Sequence, residues 1–134
     1  MSATSTAISP LRVRSSAYLD FIEVWLANLP DLSLDTVIAD AGSNAQVALV
    51  SVDLIVGFCH SGPLSSPRVA GILPAVRELF QRADRAGITN IALTQDTHRP
   101  DAEEFASYPP HCIAGTVESH TAPELANLPF ADSF

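Results

Sequence analysis

At 134 residues the chain is the size of one domain, and with 47% hydrophobic and 16% charged residues it is not a disordered polymer. Its formal charge is −8, with seven arginines, no lysine and no basic cluster, which argues against nucleic acid or an anionic membrane as partner. No apolar run is long enough to span a bilayer, and two cysteines, Cys59 and Cys112, fit a reducing cytoplasm better than a disulfide framework.

Residues 1–14, MSATSTAISPLRVR, have no apolar stretch behind their positive residues, so they are not a secretory signal. Lacking acids up to Asp20, the segment weakly resembles a transit peptide, but it reads best as a frayed terminus. From Ser15 or Ser16 the spacing predicts a helix with Leu19, Ile22, Trp25 and Leu26 on one face, stopped by Pro30. Scattered Asp, Gly, Ser and Asn over 31–45 read as a linker. Residues 1–45 are therefore expected to form an N-terminal extension, with the domain proper over 46–134.

Gln46 to Val56, QVALVSVDLIV, is a nearly continuous β-branched run, the pattern of a parallel strand covered on both faces. GFCHSGPLSS follows as a loop, and Ser66-Pro67 is a good helix start. Val69, Ile72, Val76, Leu79, Phe80 and Ala83 recur at helical spacing. Pro74 should kink this helix or mark where its regular part begins, and Gly87 should end it. Ile88 to Thr94 is the next strand. Strand, helix, strand makes a βαβ unit, and in such sheets ligands bind beyond the carboxyl ends of the strands. Residues 57–60 and 95–98 both lie there.

The sequence QDTH comes directly after the second strand. In extended chain, residues two apart point the same way, so Asp96 and His98 converge. His111 follows behind Tyr108-Pro109-Pro110, where consecutive prolines hold the chain stiff. Two imidazoles and a carboxylate suit Zn²⁺ best, with Mn²⁺ or Fe²⁺ as alternatives, and leave positions open for water or substrate. Glu103 or Glu104 could add a fourth ligand. The competing reading is a set of polar loop residues. A D-x-H dipeptide alone favours that reading, and His111 at a strand end turns the balance toward a metal.

Asp53 is a carboxylate inside an apolar run, costly to bury unless paired or functional. Two readings stand level: a cap at the strand's end, or a general base. Cys59-His60 near Asp53 suggests a triad, but adjacent side chains usually point apart, so Cys59 reads as a small buried thiol. Cys112 reads the same way. His60 and His120 have no evident partner and are expected to face solvent.

These pieces resemble one family together. SVDLIVGFCHSGPL is similar to the first strand and loop of the isochorismatase-like cysteine hydrolases. TQDTHRPDAEEFASYPPHCIAGTVESHTAPEL is similar to the metal loop of their nicotinamidase branch. D-x-H, EF, PPH and GT-x-E occur there in order at family spacing. The resemblance covers about residues 46–134, the first half of the family's domain. It implies an α/β fold, a doubly wound, Rossmann-like parallel sheet with flanking helices, present here as its N-terminal half.

By the same resemblance Asp53 corresponds to the catalytic aspartate that takes the proton of the nucleophilic thiol. Phe58 corresponds to an aromatic that stacks on the substrate ring. Asp96, His98 and His111 correspond to the metal ligands, with Glu104 as a fourth. The implied reaction is hydrolysis of nicotinamide or a related small amide to acid and ammonia through a cysteine acyl-enzyme, with the metal orienting the ring nitrogen.

The chain departs from the pattern in several places. Many members have Gln and Asp two and four residues after the aspartate, where this chain has Ile55 and Gly57. The family's lysine is absent, since the chain has none. Neither cysteine stands at the nucleophile's place. The expectation is a truncated domain, inactive alone, and either marginally stable or self-associating (a homo-oligomer among the options) through uncovered apolar surface. The alternatives are a non-catalytic metal-binding or interaction module of the same family and, last, a hydrolase using metal-bound water directly.

Overall fold

The computed structural model describes residues 10–128, with side chains from residue 15 onward. The frayed terminus expected over residues 1–14 therefore lies largely outside the described residues. The chain divides into two units, Met1–Ser33 and Leu34–Phe134.

In the first unit, α1 runs Pro10–Ala27, starting five residues before the predicted position. Proline suits a helix start because its missing N–H would have no intrahelical partner there. Asn28 closes the helix, its backbone and side-chain N–H groups both donating to Val24 O. The four predicted face residues do not form a buried stripe. Ile22 is half-buried, but Leu19, Trp25 and Leu26 are exposed, as are Tyr18, Phe21 and Val24. Apolar side chains point in too many directions for a single stripe to form.

The second unit begins inside the expected linker, where α2 spans Leu34–Ala41. Leu34, Ile38 and Ala41 lie at helical spacing and pack against Val47, Ala83 and Ile88. Asp35 stands in the first turn, where the helix dipole favours a carboxylate. The linker expectation failed because polar residues around these three hid their spacing.

β1, Ala48–Val52, pairs in parallel with β2, Asn90–Thr94, in register from Ala48 opposite Asn90 to Val52 opposite Thr94. Both strands are shorter than predicted. Leu49, Ser51, Ile91 and Leu93 turn inward, whereas Val50 and Val52 are 60% and 64% exposed. The reading of a strand covered on both faces thus holds for one face of the described residues. Residue type alone cannot say what covers a valine.

Between the strands lie α3 (Val56–Cys59), α4 (Pro67–Ala70) and α5 (Leu73–Arg85). Ser66 caps α4 by accepting the Arg68 N–H. The predicted single helix is broken at Gly71-Ile72, because Pro74 belongs in the first turn of a helix and α5 restarts around it. At the far end the Gly87 N–H donates to Asp84 O and the Ile88 N–H to Ala83 O, the paired bonds of a Schellman ending. Phe80 and Leu73 on α5 pack with Leu54, Cys59, Ala122, Leu125 and Leu128 into the main core. Ala122 and Leu125 come from the start of α6, Pro123–Ala126.

The result is an α/β parallel sheet with flanking helices. The segment 54–56 leaves β1 and pairs with 120–122: Val56 N–H donates to His120 O and Ala122 N–H to Leu54 O. This ties the chain's last described stretch across the carboxyl ends of the strands.

Candidate metal centre

β2 ends at Thr94, and the chain runs on to His98, which bridges in parallel to Ile113. The His98 N–H donates to Cys112 O (3.0 Å) and the Ala114 N–H to His98 O (2.8 Å). Two loops are thereby laid side by side, one carrying Asp96 and His98, the other His111.

Side-chain alternation brings Asp96 and His98 together as expected, with Oδ1 of Asp96 2.7 Å from Nε2 of His98. His111 is 4% exposed, and its Nδ1 lies 2.8 Å from Pro109 O. A carbonyl can only accept, so the proton sits on Nδ1, and in the neutral ring Nε2 presents a lone pair. That Nε2 is 3.4 Å from Asp96 Oδ2 and 3.3 Å from Glu104 Oε1. The same Glu104 oxygen lies 3.4 Å from His98 Nε2. Glu104, rather than Glu103, is the acid that reaches the cluster. Both glutamates sit on the 3-10 turn Glu103–Ala106.

The donor set fits a divalent cation. Ligand atoms bound tetrahedrally at zinc distances stand roughly 3.3 Å apart. Three of the four separations above are 3.3–3.4 Å. His98 Nε2 is buried without a hydrogen-bond partner of suitable alignment, despite the short approach of Asp96. Two imidazole nitrogens and carboxylate oxygens facing one point, without hydrogen bonds between them, is what a metal site needs. One ligand atom each from Asp96, His98 and His111 lies within 4.8 Å of the others.

Aromatic rings wall the cluster. Phe105 meets His98 and His111 edge-on, at centroid distances of 5.5 and 5.6 Å. Phe58, on α3, lies 6.1 Å from the His111 ring. Phe105 was singled out in the sequence only within its EF dipeptide, because a lone Phe in a loop carries no directional signal.

Asp53 is not inside the strand. β1 stops at Val52, and Asp53 is the next residue, with φ 55°. Its N–H donates to Thr94 O (3.1 Å), and its carboxylate accepts from the Thr94 hydroxyl at 3.3 Å, long for such a bond. The Thr94 hydroxyl, rather than a backbone amide, engages the carboxylate.

Both cysteines are buried and free. Burial, then the charge of Glu124, pushes the Cys59 thiol up. Burial, followed by the carboxylates of Asp96, Glu118 and Asp53, pushes Cys112 up to about 11. At neutral pH both are thiols, unsuited to nucleophilic attack.

His60 does have a partner, contrary to expectation. Its Nε2 lies 2.9 Å from Glu124 Oε2. The two are far apart in sequence and meet only because α6 packs onto the core, which local reading cannot see. Partial burial pushes the Glu124 carboxyl up, but the His60 hydrogen bond, a backbone bond and the charges of His60 and Arg77 outweigh it. The net effect holds Glu124 below its ordinary value.

Gly57 explains one departure from the family pattern. A Cβ there would stand 2.6 Å from Cys112 Sγ and 3.0 Å from Glu118 O. No side chain fits while Cys112 occupies that place.

The Isochorismatase domain family matches residues 47–134, well over half of the chain. The chain belongs to that family. It is 33% identical over 94 residues to nicotinamidase 1 of Arabidopsis thaliana, covering 66% of this chain and 38% of that protein. It is 29% identical over 85 residues to a nicotinamidase/pyrazinamidase of Mycobacterium tuberculosis, covering 58% and 45%.

Among solved structures, an isochorismatase-like hydrolase from Alkaliphilus metalliredigens matches with a TM-score of 0.52 and 28% identity, over 58% of this chain and 44% of that one. An N-carbamoylsarcosine amidase from Thermoplasma acidophilum matches at 0.51 and 28%, over 57% and 43%. The chain spans less than half the length of each of these relatives. No helix among the described residues is long and apolar enough to cross a membrane.

Proposed function

We propose that this chain carries the metal-holding and proton-accepting part of an amidohydrolase that acts on nicotinamide or a related small amide. The observation that carries the proposal is the meeting of Asp96, His98, Glu104 and His111 at the end of β2, with an imidazole lone pair aimed inward. A divalent cation held there, zinc by preference and Mn²⁺ or Fe²⁺ otherwise, would supply a Lewis-acid contact for a substrate ring nitrogen.

Phe58, beside His111, is placed to lie against an aromatic ring and fix its plane. Phe105 keeps water from the imidazoles. Asp53, at the end of the neighbouring strand, is the base of this reading. Its carboxylate has one long hydrogen bond, leaving lone pairs to accept a proton from a thiol that Cys59 and Cys112 do not provide. The chain has no lysine to balance that aspartate. Turnover by this chain alone is therefore not expected. The two buried free thiols suit a reducing compartment such as the cytoplasm.

Calorimetric titration with Zn²⁺, followed by nicotinamide, tests the reading. One zinc should bind, and nicotinamide should bind the zinc-loaded protein only. Ammonia release should be absent from the chain and should appear when the carboxyl-terminal portion of a family-length relative is fused after Phe134. A chain that takes no zinc sinks the metal reading. One that takes zinc but stays silent in every fusion is the non-catalytic module instead.

A further inference from the structure

Both histidines of the cluster depend on one residue, Cys112, through the peptide groups on its two sides. His111 precedes it covalently, and the His98 backbone is docked on its carbonyl. Cys112 is buried and holds φ at 46°, a left-handed conformation that a residue with a side chain keeps only when its surroundings impose it. The Cys112 carbonyl is satisfied by the His98 N–H. Its own N–H donates to Glu118 Oε2, at 3.0 Å.

Glu118 sits on the 3-10 turn Val117–Ser119 and is half-buried. Its carboxylate has a made place: a Cβ at Gly62 would stand 2.8 Å from Glu118 Cδ and 2.9 Å from Oε2. The backbone of the same residue presses on Gly57, which in turn faces Cys112 Sγ.

We infer that Glu118 is a positioning residue for the metal centre: by accepting the Cys112 N–H it holds that residue in its left-handed turn and so aims both His111 and His98. The inference rests on the metal reading above. Without the acceptor, a buried N–H is left unpaired, and Cys112 gains by rotating toward ordinary φ. Such a rotation swings His111 on one side of Cys112 and tilts the carbonyl that docks His98 on the other.

The test separates reach from charge. Glu118→Gln removes the charge but keeps an oxygen at the same reach; Glu118→Asp keeps the charge one methylene short. Zinc affinity of the full chain is measured by calorimetry, with the melting temperature of each zinc-free protein and the hydrogen exchange of the Cys112 amide by NMR. Glu118→Gln should bind zinc within a few-fold of the unsubstituted chain and keep the Cys112 amide protected. Glu118→Asp and Glu118→Ala should bind roughly 10–100-fold more weakly, as losing an outer support of a ligand does. Their Cys112 amides should exchange faster, and their zinc-free melting should move far less than their affinity. Should Glu118→Ala fail to fold, the Gln and Asp pair decides alone. Equal affinity in all variants, or tight binding by Asp with weak binding by Gln, overturns the positioning role while leaving the metal reading intact. Failure of the unsubstituted chain to bind zinc overturns both.

Discussion

The two strands end alike and lead to different things. Past β2, within residues 96–111, the chain assembles a ligand cluster from two loops bridged by their own backbones. Past β1, Asp53 has one long bond from Thr94, and the thiol whose ionisation its charge opposes, Cys112, is held protonated; the chain has no lysine. The first region is complete in local chain, and the second offers one member of a constellation. A short segment can specify where a metal sits. The proton relay of the proposed reading needs a lysine and a reactive thiol that this βαβ unit does not hold.

The sharpest way to break this contrast is to change each region and read both outputs. In a fusion that releases ammonia, Asp53→Asn should lower the rate roughly 10²–10⁴-fold, the usual worth of a placed base, without changing zinc affinity measured by calorimetry. His111→Ala should do the reverse: zinc affinity should fall by more than the roughly 100-fold upper limit for an outer-shell loss, since a ligand itself is gone. If Asp53→Asn also costs zinc affinity, the two regions are one site and the contrast fails.

Glu104 sharpens the picture further. It is more exposed than the other ligands and approaches both imidazoles at 3.3–3.4 Å, so Glu104→Ala should weaken zinc by roughly tenfold, about 1.4 kcal/mol. A loss as large as that of His111→Ala would make Glu104 a full ligand. No loss would make it an onlooker.

The thiols should be quiet. With Cys112 pushed up from 9.0 to about 11, alkylation of the folded chain by iodoacetamide, followed by mass spectrometry, should stay slow through pH 9. A group whose folded value is raised contributes stability below its unfolded value and loses it as pH climbs, so urea midpoints should fall between pH 9 and 11.

The smallest effect belongs to Glu124. Its folded value is lowered, so its contribution is present above the ordinary 4.5 and is lost as pH falls through the folded value. Both partners are more than a third exposed, so Glu124→Gln should cost under about 0.5 kcal/mol in urea unfolding at pH 7.

Much of this molecule was legible in its sequence, because the βαβ unit is written in local periodicity. Ile91 and Leu93 alternate inward, and Pro74 and Gly87 mark where α5 starts and stops. Asp96, His98 and His111 were legible as a set because an extended strand end and a stiff Pro-Pro pair aim side chains predictably, whereas spacing left Glu103 and Glu104 level and only the resemblance preferred Glu104. Asp53 was left open between a strand-end cap and a general base, since an apolar run does not announce where pairing ends; β1 stops one residue before it. The helix α2 was missed because its three contact residues are meaningful only against Val47, Ala83 and Ile88. Glu118 and Gly62 were illegible for the same reason: their contact joins loops far apart in the chain.

The bare backbone at Gly57 has a consequence for descent. The resemblance drawn from the sequence implies Asp at position 57 in many members, and any side chain there would collide with the sulfur of Cys112 as it stands here. A larger residue at 57 would need the Cys112 sulfur or the Glu118 backbone to shift, so changes at the three positions should go together. An alignment in which 57 changes freely while 112 and 118 stay fixed would show that the crowding is relieved some other way.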